Sequence, residues 1–360
     1  MRLGPACLLL LSALGACAPT TGPSALPVEV LVVLDREERS LRLIATDSTN
    51  VVRTIDLAPT IGAAKPTIMA VRGTLAIIGL GTANGGVVAI DLATRRALRP
   101  VIPIKGVGDI AAIAISETGQ GFTAVPASPN EENVTYFEPA IGASVGSRVE
   151  GGPQGFGVAR GTVFLVMGNR QLCYPAVPSC LDSPSWLKPF PFNTTDSIAL
   201  FGPGNASATA LGSDGLLYVL STGNGGFAEG RLSAVDLVSR KEVASFGGFG
   251  LSPRLMASDG GDHLLIAGPR ELMVFNVRER RVEKGAGAGI PFIVAPRDLA
   301  TDAFGRAYLP VGGSCVQGGT VGAVRVFGTD LVERNAIPTG VCPVAAAVTE
   351  IPAQYFRADP

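Results

Sequence analysis

Seven segments of this chain repeat one arrangement of apolar and polar positions. Each begins with a strand-length run of small and apolar residues, and a tight turn with Gly or Asp follows the first six of these runs. After each of those six turns comes a second, more hydrophobic run of strand length. The first runs are residues 66–71, 109–116, 154–159, 206–212, 254–259, 297–302 and 344–350. The second runs are residues 74–79, 122–126, 162–167, 216–220, 263–267 and 306–311.

Each segment continues with a third strand and a more irregular fourth strand. The clearest third strands are residues 87–92, 232–237 and 272–277, each followed by a polar turn. First strands recur roughly every 43 to 53 residues, which is about the length of one four-stranded blade of a β-propeller. The apolar runs are continuous, as is typical of strands covered on both faces. The pattern therefore predicts an all-β fold, a seven-bladed β-propeller.

The first strands are also rich in small residues, for example at 111–114, 206–210 and 345–347. Blades converge on a central axis, where large side chains would collide, so these strands are predicted to be innermost. The seventh first strand, 344–350, has no partner strand after it. Residues 28–34, 41–46 and 51–57 form three strands without a first strand, so we expect them to complete the blade that the C-terminal strand begins. This closure leaves no exposed sheet edge between blades.

The third strand and its turn have a recurring form: VVAIDLATRR at 87–96, LSAVDLVSRK at 232–241 and LMVFNVRERR at 272–281. In register with the other strands, this form resembles the YVTN-type β-propeller repeat of bacterial surface and periplasmic proteins. The resemblance covers about residues 28–351. It implies a propeller of the cell envelope.

The N-terminus is predicted to be an export signal. Arg2 is followed by a short apolar run that ends in Leu14-Gly15-Ala16-Cys17, which resembles the lipobox of bacterial lipoproteins. The resemblance implies a diacylated Cys17 as the mature N-terminus, and Ala18 after it resembles a signal for the outer membrane. An ordinary signal peptide cut after Ala18 is the alternative.

The predicted organisation has four parts: a signal peptide over residues 1–17, a flexible tether over 18–27, the propeller over 28–352 and a C-terminal tail over 353–360. The tether is rich in Pro, Thr and Ser and carries no charge. Two acyl chains would hold such a protein stably at a membrane. The expected location is therefore the outer membrane, facing either the periplasm or the medium.

Composition excludes some classes of protein. Gly and Pro together contribute 73 of 360 residues, which argues against a mainly helical chain. The net charge is −1, without a basic stripe, so nucleic-acid binding is not expected. No cofactor is predicted, and a monomer is expected.

Four of the six cysteines lie outside the predicted signal: Cys173, Cys180, Cys315 and Cys342. An even number in an exported protein favours disulfides, of which three pairings are possible. Cys173–Cys180 would close a local loop, and Cys315–Cys342 would join neighbouring repeats. A zinc site is the alternative, but no CxxC and no nearby His supports it.

In a propeller of this topology, the connections after second and fourth strands open on one face, which we call the long-loop face. The predicted long loops are 81–86, 127–133, 168–195, 221–230 and 312–319, and the other face, the short-turn face, is predicted to carry short turns only. The 168–195 insertion contains Tyr174, Trp186 and Phe190. Loops on a rigid scaffold commonly hold binding residues, although they can also be tolerated insertions.

Polar residues at the start of the first strands should surround the mouth of the central channel on the long-loop face. They are Lys65, Asp109, Gln154, Asn205, Arg254, Arg297 and Asp298. Mixed charges around a concave opening suit a small polar or anionic ligand. The alternative is that these positions are polar only because the channel holds water.

Catalytic chemistry is thinly represented. His263 is the only histidine, and a solvated position in a turn of the short-turn face is expected for it. Multi-His metal sites and a Ser–His–Asp triad are therefore not predicted. The sequence favours a non-enzymatic binding or scaffold protein that acts through the long-loop face. The alternative is a lactonase-like hydrolase, with Asp109, Arg254, Arg297 and Asp298 converging at the channel mouth.

Overall fold

The structure is a computed structural model. It describes residues 26–48, 52–82, 85–106, 108–126, 132–150, 152–168, 184–192, 195–202, 204–223 and 229–357. The predicted signal peptide with Cys17, most of the predicted tether, Tyr174 and the predicted Cys173–Cys180 pair lie outside these residues.

Two short helices and 29 strands make up the described chain. In chain order they are β1 (Val28–Asp35), β2 (Ser40–Ala45), β3 (Val52–Asp56), α1 (Ala58–Ile61), β4 (Ile68–Arg72), β5 (Leu75–Gly79), β6 (Val87–Asp91), β7 (Arg96–Ala97), β8 (Ala112–Ile115), β9 (Gly121–Ala124), β10 (Val134–Phe137), β11 (Ser144–Ser147), β12 (Pro153–Ala159), β13 (Thr162–Met167), β14 (Ser185–Pro189), β15 (Ile198–Leu200), β16 (Ala206–Leu211), β17 (Leu217–Ser221), β18 (Arg231–Asp236), β19 (Lys241–Phe246), β20 (Leu255–Ser258), β21 (His263–Ala267), β22 (Glu271–Asn276), β23 (Arg281–Lys284), β24 (Ile290–Pro291), β25 (Ala300–Thr301), β26 (Ala307–Gly312), β27 (Val321–Phe327), β28 (Glu333–Val341), β29 (Pro343–Ile351) and α2 (Ala353–Arg357). Neither helix has the length and apolar character that crossing a lipid bilayer requires.

The strands form seven antiparallel sheets, which we number as blades 1 to 7. Blades 1 to 6 begin with β4, β8, β12, β16, β20 and β25, and each adds its next three strands outward in chain order. The short strand β24 additionally pairs with β22 in blade 5. The first strand of every blade contacts the first strands of both neighbouring blades, including β25 with β29 and β29 with β4. The ring is therefore closed, and the predicted seven-bladed β-propeller is confirmed.

Blade 7 is built from both ends of the described chain, in the order β29-β1-β2-β3. Strand β29 runs antiparallel to β1, with Leu31 opposite Val348 and Val33 opposite Ala346. The predicted closure is thus confirmed. Helix α2 lies in the predicted C-terminal tail, and its first residue, Ala353, is buried between blades 7 and 1.

The hydrophobic core is divided among the blade interfaces. Seven separate apolar clusters occur in the described residues, and each joins two adjacent blades. Strand β17 shows how: Leu217 and Val219 pack against blade 3, whereas Tyr218 and Leu220 pack against blade 5. Because both faces of such a strand are buried, its sequence is continuously apolar instead of alternating.

The prediction for the 168–195 insertion is wrong at its C-terminal end. Trp186 lies within β14, the third strand of blade 3, and Phe190 follows that strand on the short-turn face. There the Phe190 ring lies 5.3 Å, between centroids, from the rings of Phe122 and Tyr136. The connection from β14 to β15 is therefore a longer segment on the face predicted to carry only short turns. Apolar side chains pack this segment against blade 2, and the lengths of the loops do not predict such packing.

Candidate ligand site at the mouth of the central channel

A cavity of about 630 Å³ lies at the long-loop end of the central channel. Its lining comes from the first strands or loops of blades 1, 2, 5, 6 and 7. Asp109, Arg297 and Asp298 line it, as predicted, together with Arg36. A second cavity of about 320 Å³ lies among the first strands towards the short-turn face, and its lining is apolar apart from Arg72 and Thr209. The charged groups of the channel are therefore concentrated at the long-loop end.

Blade topology places the charges on different sides of this cavity. Arg297 precedes β25 of blade 6, Arg36 follows β1 of blade 7, and Asp109 precedes β8 of blade 2. Arg297 and Asp109 are exposed. The Arg36 Nε is buried without a hydrogen-bond partner, and the nearest carboxylate oxygen, on Glu37, is 3.7 Å away.

Asp298 is oriented by the backbone. Its Oδ1 accepts a hydrogen bond from the Leu299 amide at 2.8 Å, and its Oδ2 accepts one from the Ala346 amide at 2.9 Å. The carboxyl is packed among protein atoms, although the residue keeps part of its surface towards the cavity. Burial raises the pKa of Asp298 to about 6, against the opposing effect of the two amide hydrogen bonds.

The other predicted mouth residues lie outside this lining. The Lys65 ammonium donates to Glu37 Oε2 at 2.6 Å on the closing blade. Asn205 has a left-handed backbone with φ of 69°, and its Nδ2 donates to the Gly223 carbonyl at 2.6 Å, so it joins two loops. Gln154 and Arg254 are at the starts of their strands but do not line the cavity.

Arg36 was missed by the sequence analysis. It lies in the hairpin between β1 and β2, which are the second and third strands of blade 7. Connections of that kind open on the long-loop face in every blade. Arg36 could therefore have been predicted from the ring closure, because this closure makes its hairpin the connection between the second and third strands of blade 7.

The loops beside the mouth are covalently joined. Cys315, in the loop between β26 and β27, forms a disulfide with Cys342, which lies between β28 and β29. This pairing was predicted. It links blade 6 to the start of the strand that closes the ring.

His263 begins β21 at the short-turn face, remote from the mouth. Its Nδ1 is 3.0 Å from Asp259 Oδ2, and its Nε2 is 3.5 Å from Glu283 Oε2. The side chain is 38% exposed, so it is a half-buried member of a polar cluster and not a fully solvated turn residue.

The hydrolase alternative requires charged groups in direct contact at the mouth. Among the described residues, no ion pair joins any two of Asp109, Arg254, Arg297 and Asp298. Nor does any cluster of three His, Cys, Asp or Glu side chains in the described ranges have a geometry that could hold a metal ion. The arrangement is one of separated charges around a cavity.

Comparisons with known proteins identify the fold alone. No model of a protein family and no curated protein matches this chain. Among solved structures, 908 chains match. One is hydrazine synthase from Kuenenia stuttgartiensis, with a TM-score of 0.58 and 13% sequence identity; the match covers 78% of this chain and 89% of that chain. At this identity the likeness establishes a shared β-propeller architecture and carries no activity with it.

Proposed function

We propose that this protein is a lipid-anchored β-propeller of the bacterial cell envelope that binds a ligand or partner protein through its long-loop face. The observation that carries the proposal is the charged cavity of about 630 Å³ on that face. Its volume is within the usual range for small-molecule sites. The lipobox-like sequence that ends in Cys17 and the repeat resemblance support the envelope location.

The position of the first strand supports a particular orientation. Strand β1 begins opposite the C-terminal end of β29, on the short-turn face. A lipid on Cys17 would therefore hold the short-turn face towards the membrane, with about ten intervening residues able to span at most about 35 Å. In this arrangement the cavity mouth points away from the bilayer and is accessible to ligands.

A lactonase-like hydrolase remains the alternative from sequence, but no contact in the described residues favours it. The candidate residues would need to share a substrate atom or a metal ion. We therefore base the proposal on binding.

Two measurements test the proposal. Wild-type protein is expected to incorporate labelled fatty acid and to sediment with membranes, and Cys17→Ser is expected to do neither. An unlabelled wild-type protein in the soluble fraction would overturn the anchoring part.

The binding part is tested by purifying the protein from envelope extracts together with the molecules bound to it. Molecules recovered with wild type should be lost from the double variant Asp109→Asn/Arg297→Gln. The matched control is Asp262→Asn/Arg278→Gln, which removes an exposed charge pair, 3.9 Å apart, on the opposite face. Equal recovery with both double variants would contradict the proposed binding face.

A further inference from the structure

Two opposite charges that line the mouth cavity, on Arg297 and Asp109, are not neutralised within the described residues. In the described part of the chain, neither the Arg297 guanidinium nor the Asp109 carboxylate has an ion-pair or hydrogen-bond partner. Other charged groups on the same face are paired, for example Lys65 with Glu37 and Arg42 with Asp35. Two opposite charges on different sides of one cavity, each without a partner, are available to a ligand.

Asp298 does not neutralise the neighbouring Arg297. No ion pair joins its carboxylate to Arg297 among the described residues, and its two oxygens accept hydrogen bonds from the backbone amides of Leu299 and Ala346. Arg36 adds a second guanidinium from the adjacent blade; its buried Nε has no hydrogen-bond acceptor and lies 3.7 Å from a carboxylate oxygen of Glu37. The cavity therefore has a cationic side, on blades 6 and 7, and an anionic side, on blade 2.

We infer that this cavity binds a short zwitterionic peptide, with its carboxylate on Arg297 and Arg36 and its ammonium group on Asp109. The inference rests on the proposed function and specifies the ligand class of the same site. Guanidinium groups bind carboxylates through paired, charge-assisted hydrogen bonds. A ligand with both charges would satisfy both sides of the cavity, whereas a simple anion would leave Asp109 unpaired.

The size of the cavity favours a peptide over a free amino acid. Blades 7 and 1 lie between the blade of Arg297 and the blade of Asp109. A sphere of the cavity's volume is about 11 Å across, a distance that three extended residues span at about 3.3–3.6 Å each. Thr67 and Thr82 supply hydroxyl groups for the peptide backbone, and Met69, Ile110 and Leu255 supply apolar surface.

The test uses trialanine and isothermal titration calorimetry of the mature protein. We expect trialanine to bind, and both N-acetyl-trialanine and trialanine amide to bind at least about tenfold more weakly, since each lacks one charge. Free alanine should bind equally weakly because its two charges are too close to reach both sides. No heat with trialanine at millimolar concentration, or equal affinity for the blocked peptides, would overturn the inference.

Single variants, each titrated with trialanine and with a blocked peptide, show which residue binds which charge of the ligand. Arg297→Gln should reduce the difference between trialanine and its amide, with the remainder due to Arg36, and Asp109→Asn should abolish the difference between trialanine and its acetylated form. Arg254→Gln is the matched control, because this exposed arginine immediately precedes the first strand of blade 5 and does not line the cavity. Its affinity for trialanine should be that of wild type.

Thermal unfolding of each variant establishes that it is folded before titration. If the recovery of molecules from envelope extracts depends on Asp109 and Arg297 but trialanine does not bind, the proposed ligand class is wrong and the proposed binding face is supported. If neither trialanine nor envelope material depends on these residues, the proposed face fails as well.

Discussion

At the residue scale, one glycine explains why the innermost strands are made of small residues. Gly155 lies in β12, and a Cβ built on it would be only 1.9 Å from the Ser207 carbonyl oxygen in β16 of the next blade. That oxygen belongs to the backbone and cannot rotate away. Any side chain at position 155 therefore forces two first strands apart.

Gly155→Ala is expected to lower the free energy of unfolding by about 1–3 kcal/mol, the range typical of overpacking that requires backbone shifts. Gly247→Ala is the matched control. No atom lies within 4 Å of its added Cβ, so its effect should stay within about 0.5 kcal/mol. Urea unfolding of the three proteins measures both. Equal stability of the two variants would contradict the close approach of blades 3 and 4.

Asp298 is expected to make the free energy of unfolding of the protein depend on pH. Its pKa is raised by burial from 3.8 to about 6, so the folded protein holds a proton on this carboxyl more tightly than the unfolded chain. The contribution of Asp298 to stability is therefore fully present below about pH 4 and is lost as pH rises through about 6.

Asp298→Asn removes this titration. The difference in free energy of unfolding, wild type minus variant, should fall as pH rises from 4 to 7, by at most about 3 kcal/mol. Denaturant titrations across this pH range measure the difference. A rising difference for Asp298→Asn would reverse the sign of the argument.

At the scale of strands and loops, the sequence predicted the hairpins well because turn residues and apolar runs mark both strands. The runs 162–167 and 263–267 were predicted at the bounds that β13 and β21 have. The run 297–302 was too long, since only Ala300–Thr301 pairs as β25. Asp298, inside that run, instead turns its carboxyl to backbone amides. Residue types alone do not show at which residue the backbone hydrogen bonds between two strands end.

The candidate site could be predicted in part for a similar reason. Topology decides which end of a strand faces the mouth, so Asp109, Arg297 and Asp298 were found from position alone. Whether a side chain then turns to the cavity depends on its partners. The Lys65 ammonium instead forms an ion pair with Glu37, and the side-chain amide of Asn205 donates a hydrogen bond to the Gly223 carbonyl. These contacts come from other blades or loops, and no local pattern encodes them.

The Cys315–Cys342 disulfide supports the loops beside the mouth. Its sequence separation is 27 residues, and Cys342 is fully buried. For a loop of this length, the chain-entropy argument gives about 3–4 kcal/mol of stabilisation. Cys315→Ser is therefore expected to lower the free energy of unfolding by about 2–4 kcal/mol. Reduction should lower the stability of wild type by about 2–4 kcal/mol more than that of Cys315→Ser, in which this disulfide is already absent. An equal loss in the two proteins would contradict a stabilising role for Cys315–Cys342.

At the scale of the whole molecule, stability depends on both ends of the described chain. Strand β29 is the first strand of blade 7, pairs with β1 along its length, and contacts the first strands of blades 1 and 6. Without it, β1 would expose an apolar edge, and the ring would have a gap at its axis. An open edge of this kind favours aggregation.

Deleting residues 343–360 should therefore abolish cooperative unfolding, because the loss is comparable to the net stability of a typical domain, about 5–15 kcal/mol. Deleting residues 355–360 is the control: it keeps β29 and the buried Ala353, and it should unfold with a midpoint near that of wild type. Circular dichroism with thermal unfolding measures both. A synthetic peptide of residues 343–352 should restore the transition in the longer deletion, since a strand can be supplied in trans to an open sheet edge. A cooperative transition at the wild-type midpoint without β29 and without the peptide would mean that six blades and an incomplete seventh suffice, and the closing strand would then have no role in stability.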